Sequence, residues 1–298
     1  MSRACQVQVR FFRPPAELSR YFTTFYLAEI DVPEGGRAVD YLHPEWANLR
    51  FHSGERLSAE NHVGQSIDKV DFAATGPSGR ALRFEVGTCR IWGIGLMPLG
   101  WAKFVAAPAD TLADAVVDGQ DHEAFAAFRP LADTLFGPEP DVEGELARIS
   151  AHFLARAGAP LADEERIMAV HTALVDPDVS TVSQLAERVG ASDRTVERAC
   201  ARAFGFSPKL LLRRQRFIRS LSQYMLDPSL KWIGALDGHY HDQAQFVREF
   251  REFMGMTPRQ YGKLEHPILD AIVNERARLA GAAMQALDTP DGQRGGKA

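Results

Sequence analysis

Apolar and polar positions along the chain follow two regimes that change near Pro108. Before that point the pattern is short, aromatic and β-branched. Phe22 to Ile30 is one such run. The stretch from Trp46 to His52 alternates, with Trp46, Asn48, Arg50 and His52 on one side and Ala47, Leu49 and Phe51 on the other. Arg80 to Val86 and Arg90 to Leu96 are two further candidate strands split by Gly87, and Gly35-Gly36, Ser53-Gly54 and Gly76-Pro77-Ser78-Gly79 supply turns. Short strands with regular turns predict an antiparallel barrel or sandwich. After Pro108, apolar residues recur three and four apart, which predicts helices over Thr111 to Val117, His122 to Phe136, Val142 to Ala157 and Ala162 to Val175. Gly137-Pro138-Glu139-Pro140 and Gly158-Ala159-Pro160 punctuate them, and Asp176-Pro177-Asp178 breaks the chain before a further helical segment. Ile268 to Leu287 reads as an extra helix, with Leu269, Ile272, Val273, Leu279 and Ala283 on one stripe; Asp288 to Ala298 is Gly-rich and polar, and is expected to be disordered.

Two stretches of the helical segment repeat each other. Ala203-Phe204-Gly205-Phe206-Ser207-Pro208 and Phe253-Met254-Gly255-Met256-Thr257-Pro258 both place Gly, an apolar residue, a hydroxyl residue and Pro in the same order. Gly stops one helix, the hydroxyl caps the next, and Pro fills its first position. Such internal similarity marks a duplicated structural unit. Each copy follows a short helix, a turn and a second helix carrying cations, which is the layout of a helix-turn-helix.

In the first unit Val182 to Val189 is the supporting helix, Gly190 the turn, and Ser192 the cap of a helix with Asp193 at its positive end. That helix presents Arg194, Thr195, Glu197, Arg198 and Arg202 around an inward set of Val196, Ala199 and Ala203. In the second unit Leu230 to Leu236 supports, Asp237 to His241 turns, and Asp242 caps a helix that displays Gln243, Ala244, Gln245 and Arg248 and buries Phe246, Phe250 and Phe253. A helix that reads the major groove needs one face anchored and polar residues near its start. The Arg fork matches guanine O6 and N7, Gln matches adenine, and other cations hold phosphates. Glu197 can either accept from a cytosine amine or pair with a neighbouring Arg. Between the units Leu210 to Leu226 forms a long helix with Arg213, Arg214, Arg216 and Arg219, which would set the spacing of the two heads.

Residues 180 to 262 resemble the DNA-binding domain of the AraC/XylS family of bacterial transcriptional regulators. The resemblance rests on Leu185-Ala186, Ser192, Arg194, Val196, Arg198, Phe204-Gly205, Ser207-Pro208, Leu212-Arg213-Arg214, Arg216, Asp242-Gln243, Phe246, Arg248, Phe250, Gly255, Thr257-Pro258 and Tyr261. It implies two recognition helices in successive major grooves, with base contacts from Arg194, Glu197, Arg198, Gln243, Gln245 and Arg248. It also implies contact with RNA polymerase and a homodimer. The second turn departs from the family pattern: His239 stands where a Gly is usual, and Gly238 comes one residue early. More loosely, Trp92 to Trp101 with Pro108-Ala109 resembles the β-rich sensor domain of some of these regulators, which implies a regulatory module and no particular ligand.

The predicted class is therefore α+β. A β-rich sensor-like domain with trailing helices, a barrel or sandwich, covers 1–137. A helical linker or dimerisation segment covers 138–176, an all-α DNA-binding domain with two helix-turn-helix units 177–264, and the extra helix and tail 265–298. The composition, 45% hydrophobic and 24% charged, is that of a globular chain. Net charge is −5, which by itself argues against nucleic acid, but residues 177–263 hold 14 Lys/Arg against 9 Asp/Glu and the remainder is strongly acidic. No apolar run approaches the ~20 residues of a membrane helix. The first residues lack a signal-peptide core, and Cys5, Cys89 and Cys200 are too few and too scattered for a disulfide framework. A cytoplasmic, nucleoid-associated protein without cofactor is expected.

Other chemistry is less well supported. His43, Glu45, His52, Glu55 and His62 lack the close His pair of a metal-binding β-barrel. Trp46, Arg50 and Trp92 could line a pocket for an anionic effector, or be core aromatics with a rim arginine. Cys5 and Cys89 lack the nearby basic cluster of a redox sensor, and Gly93 to Gly100 lacks the Lys-Ser/Thr of a phosphate loop. The leading reading is a sequence-specific transcription regulator modulated at its N-terminal domain by a ligand or partner. Two others stand beside it: an enzyme fused to this kind of DNA-binding domain, as in DNA-repair methyltransferases, and a regulator without a small-molecule ligand.

Overall fold

In the computed structural model, residues 5–158, 160–280 and 284–290 are described. The N-terminal part is antiparallel throughout. Its strands are β1 (Gln6–Phe12), β2 (Phe22–Asp31), β3 (Ala38–Leu42), β4 (Ala47–Gly54), β5 (Leu57–Glu60), β6 (Ser66–Val70), β7 (Phe72–Thr75), β8 (Leu82–Val86), β9 (Cys89–Leu96) and β10 (Val116–Asp118). They form a six-stranded sheet in the order β1-β2-β9-β4-β7-β10 and a four-stranded sheet in the order β3-β8-β5-β6. Ala28, Ile30, Ala73 and Ile91 of the first sheet meet Leu57, Val70, Phe84 and Val86 of the second in one apolar layer. The opposite face of the larger sheet, with Phe25, Leu49, Phe51, Trp92 and Ile94, packs on helices.

This layering explains β4. Both sides of its alternating run are buried from Ala47 to His52 because the sheet is covered on both faces. Thr111 to Val117 differs from the helical expectation. Ala109–Leu112 is one 3-10 turn, and β10 follows by pairing Val116 and Val117 with Thr75 and Ala74. The apolar spacing there fits a helix, but a distant sheet edge takes the segment. His122 to Phe136 divides into a 3-10 stretch, Glu123–Phe128, and a short helix after it.

The helices are α1 (Pro98–Phe104), α2 (Arg129–Thr134), α3 (Val142–Ala157), α4 (Glu164–Val175), α5 (Val182–Val189), α6 (Asp193–Ala199), α7 (Pro208–Leu226), α8 (Lys231–Gly234), α9 (Gln243–Met254), α10 (Pro258–Tyr261) and α11 (Leu269–Ala280). In α3, Ile149 and Phe153 pack on the sheet, with Phe153 edge-on to Phe22 at 4.6 Å. Its buried Glu145 accepts two bonds of 2.8 Å from Arg90 and one of 2.7 Å from Trp92 Nε1. Burial alone would raise the Glu145 pKa, but these donors together pull it below the usual carboxylate value. The apolar stripes of α3 and α4 thus find partners inside this chain.

The reading segment does not stand apart from the sheets. Ala81 N donates to Phe253 O at 2.7 Å, and Arg80 donates to Glu252 O. His43 Nε2 lies 2.7 Å from Tyr261 Oη. Asp40 Oδ2 accepts from the backbone N–H groups of Ile268 and Leu269, so a sheet carboxylate caps the start of α11. On that helix Leu269 and Val273 are buried and Ile272 half-buried, as the predicted stripe requires. Ala283, the side chain of Leu279 and the tail from residue 291 lie outside the described residues. Asp288, placed in the expected disordered tail, is bonded to Arg276.

Candidate nucleic-acid interface

The two units form by the local signals the sequence carries. Thr181 and Gln184 make a reciprocal capping box at the start of α5. Ser192 accepts from Thr195 N at the start of α6, and Asp242 accepts from Gln245 N at 2.6 Å at the start of α9. The duplicated motif works as predicted in both copies. Gly205 and Gly255 close their helices at φ 83° and 70°, a left-handed backbone that a Cβ disfavours. Ser207 and Thr257 then cap α7 and α10, each with Pro in the first turn. A π-helical stretch, Cys200–Phe204, carries α6 on to Gly205.

Each recognition helix anchors one face. Val196, Cys200, Ala203 and Phe204 are buried beneath the first, and Phe246, Phe250 and Phe253 beneath the second. Arg194, Glu197, Arg198, Arg202, Gln243, Ala244 and Arg248 are exposed, while Thr195 and Gln245 are half-buried. Gln245 also works locally, since its Oε1 accepts from His241 N at 3.1 Å. Its amide nitrogen is the part left to reach a base. Among the described residues none of Arg194, Glu197, Arg198, Arg202 and Arg248 takes part in an ion pair.

The central helix behaves differently. α7 spans 19 residues, or about 28 Å at ~1.5 Å per residue, and its arginines are engaged. Arg213 Nε and Arg216 Nη2 donate to Glu249 Oε1 at 2.9 and 2.6 Å, and Arg213 also holds Glu252. Tyr240 donates its hydroxyl to Glu249 Oε2 at 2.9 Å, and the Arg216 guanidinium lies 4.6 Å from the Tyr240 ring centre. Glu249 points inward from α9, so this cluster fixes the second recognition helix on the central one. Arg219 pairs with Asp237, whose other oxygen accepts from His239 N at 2.9 Å. Asp237 thereby pins the irregular second turn. Neither Gly238 nor His239 adopts positive φ, so His239 tolerates the position where a Gly is usual.

Arg214 is fully buried at the junction with the sheets. Its Nη1 donates to Glu45 O at 3.3 Å and Ser78 O at 3.0 Å, and its guanidinium sits 4.1 Å from the Trp46 ring centre. Burial without a carboxylate partner pulls its pKa down to about 9. The residues proposed for an effector pocket thus separate. Trp46 belongs to this junction, with His171 and Phe204 edge-on to it at 5.1 and 5.7 Å. Trp92 is core, bonded to Glu145. Arg50 lines a cavity of about 60 Å³ beneath α11, which it shares with Tyr26, Asn48, Arg276 and Gln285. There it is held by Tyr26 Oη, Thr75 Oγ1 and Glu45 Oε1. Among the described residues no three His, Cys, Asp or Glu side chains come together as a metal-ligand set.

Residues 185–263 match the protein family described as helix-turn-helix domain. This segment is an AraC-type helix-turn-helix domain. Comparison with solved structures over most of the chain finds ToxT from Vibrio cholerae O395, at 10% identity, with 86% of this chain and 96% of that chain covered and a TM-score of 0.40. A second ToxT structure, from V. cholerae strain SCE256 with an unsaturated fatty acid bound, aligns at 8% identity over 88% and 96% with a TM-score of 0.37. The AraC-like transcriptional activator CuxR aligns at 13% identity over 72% and 80%, with a TM-score of 0.32. No curated protein sequence matches the chain significantly. No helix among the described residues is long and apolar enough to cross a membrane.

The sequence does not signal Glu145, Glu249 or Asp237 as organising residues. Each is one acid among many in a charged helix or turn, and its arginine partners lie at least 18 positions away along the chain.

Proposed function

We propose that the chain is a sequence-specific regulator of transcription that reads duplex DNA with α6 and α9. The observation that carries this is the division of labour among the arginines. Those of α7 are consumed by Glu249, Glu252, Asp237 and the sheet junction. Those of the two recognition helices stand exposed and unpaired among the described residues. A mere solvated face gives no reason for this contrast; a surface kept for phosphates and base edges does. Arg194 and Arg198 suit guanine, Gln243 and the free amide of Gln245 suit acceptors on bases, and Arg202 suits phosphate. Modulation through the N-terminal part is consistent with the cavity around Arg50, which the segment beginning with α11 covers.

The enzymatic alternative would need a reactive cysteine. Burial pushes the thiols of Cys89 and Cys200 up to about 12. Both stay protonated at neutral pH and are poor nucleophiles, and burial also raises the thiol of half-buried Cys5, so nothing supports the alkyl-transfer reading.

Arg198→Ala and Arg248→Ala should each weaken binding to the preferred duplex by roughly 1–3 kcal/mol. Each should relax preference in one half of the site only, with the halves about one helical turn apart. Fluorescence anisotropy on duplexes substituted in either half measures this. Loss of preference in the same half for both variants refutes the two-headed arrangement.

A further inference from the structure

The first recognition helix borders the largest cleft described in the molecule, and DNA reading alone does not explain its lining. The cleft holds about 430 Å³, within the range of small-molecule sites and far more than the cavity beside Arg50. One wall is the reading side, with Thr195, Arg198 and Arg202. The other comes from α1, the loop after it and the start of α4, with Ala102, Pro108 and Leu161. The floor is apolar, completed by Val105 and Ile167. Charge within it is unbalanced. Asp163 is the carboxylate of the lining, and it is taken by Arg166 at 2.6 Å. Arg198 and Arg202, one helical turn apart on the same face, have no anionic partner among the described residues.

From this we infer that the cleft binds a compact amphipathic organic anion, its carboxylate or sulfonate on Arg198 and Arg202 and its apolar body on the floor. A guanidinium fork matches a planar carboxylate or a sulfonate oxygen pair and gives the strong, charge-assisted form of hydrogen bond. The inference rests on the DNA-reading role proposed above for its consequence. Arg198 cannot hold an anion and a base at once. Anion and DNA therefore exclude each other, and the ligand acts as a negative effector that covers the first reading head. The coupling is reciprocal, so DNA expels the anion as the anion expels DNA. Ligand present at ten times its dissociation constant should raise the apparent Kd for DNA about 11-fold, the ratio set by simple competition.

The test uses the full chain and 1-anilinonaphthalene-8-sulfonate, a fluorescent aryl sulfonate. Its fluorescence should saturate at one site per chain, and the preferred duplex should displace it. Neutral N-phenyl-1-naphthylamine, lacking the anion, should bind at least ten times more weakly. Ala102→Phe, which fills the cleft from the α1 wall, should weaken the sulfonate at least tenfold. It should leave DNA affinity within about threefold, and Leu161→Gln should act in the same direction. Sulfonate binding that is unchanged in both variants, or that persists under saturating duplex, overturns the inference. If no preferred duplex exists, the DNA-reading proposal fails instead, and the two variants and the neutral analogue still decide whether the cleft is an anion site.

Discussion

Acidification from pH 7 to pH 5 should destabilise the fold by roughly 6 kcal/mol through three imidazoles alone. His43, His52 and His171 are each at most 5% exposed. Burial pulls their pKa values down to about 4, about 3 and about 3. In the unfolded chain each returns to ~6.5. The folded value lies below the unfolded one, so as pH falls the unfolded state takes up protons first. The stability is intact above pH ~6.5 and is lost progressively toward the folded values, at about 2 kcal/mol per imidazole by pH 5. His266 works the other way, because its bond to Asp40 outweighs burial and raises its pKa; its contribution persists in acid. His43 and His171 both sit where the sheets meet the reading segment, against Tyr261 in one case and Trp46 in the other. The junction should therefore loosen early. Urea unfolding at pH 7 and pH 5 measures the loss, and His171→Phe should remove about a third of it. A free energy of unfolding that stays level across this interval contradicts the buried, neutral state of these rings.

Glu249→Ala is expected to cost 3–5 kcal/mol, the usual range for breaking a buried charge cluster from one side (~3–5 kcal/mol). Glu249 is 5% exposed and serves three donors, Arg213, Arg216 and Tyr240. Removing it leaves Arg216 as a desolvated guanidinium without the carboxylate it pairs with among the described residues, while Arg213 retains Glu252. Glu249→Gln keeps the volume and one acceptor, so it should lose less. Because the cluster also fixes α9 on α7, the DNA effect should fall on the half of the site read by Gln243 and Arg248. Denaturant titration together with half-site anisotropy checks both parts. A loss below about 1 kcal/mol would mean that the cluster is solvated and does not hold the helix.

The second recognition helix, the paired caps and the repeated Gly-hydroxyl-Pro motif were legible because their causes are local. Gly255 needs its left-handed backbone and Asp242 its nearby N–H whatever surrounds them. Segments whose state is decided by distant partners were not. Val116 and Val117 fit a helical period but complete a sheet edge begun at Thr75. Trp46 looks like a pocket wall by its place in an alternating run, and it becomes the ring over Arg214, 168 positions later. The same limit applies to charge. Sequence gives four arginines on α7 and cannot say that Glu249, Glu252 and Asp237 absorb three of them. The cleft facing Arg198 is built from α1, α4 and α6, and no window of sequence contains it.

The most direct measurement is selection of preferred sites by the full chain from a random duplex library, with affinity then followed against salt. Two-headed reading requires enrichment of a bipartite motif, its halves about ten base pairs apart and matched to α6 and α9. It also requires a log–log salt slope of ~−0.9 per phosphate neutralised. A library that enriches no motif, or a single half whose loss follows Arg198 and Arg248 alike, contradicts it.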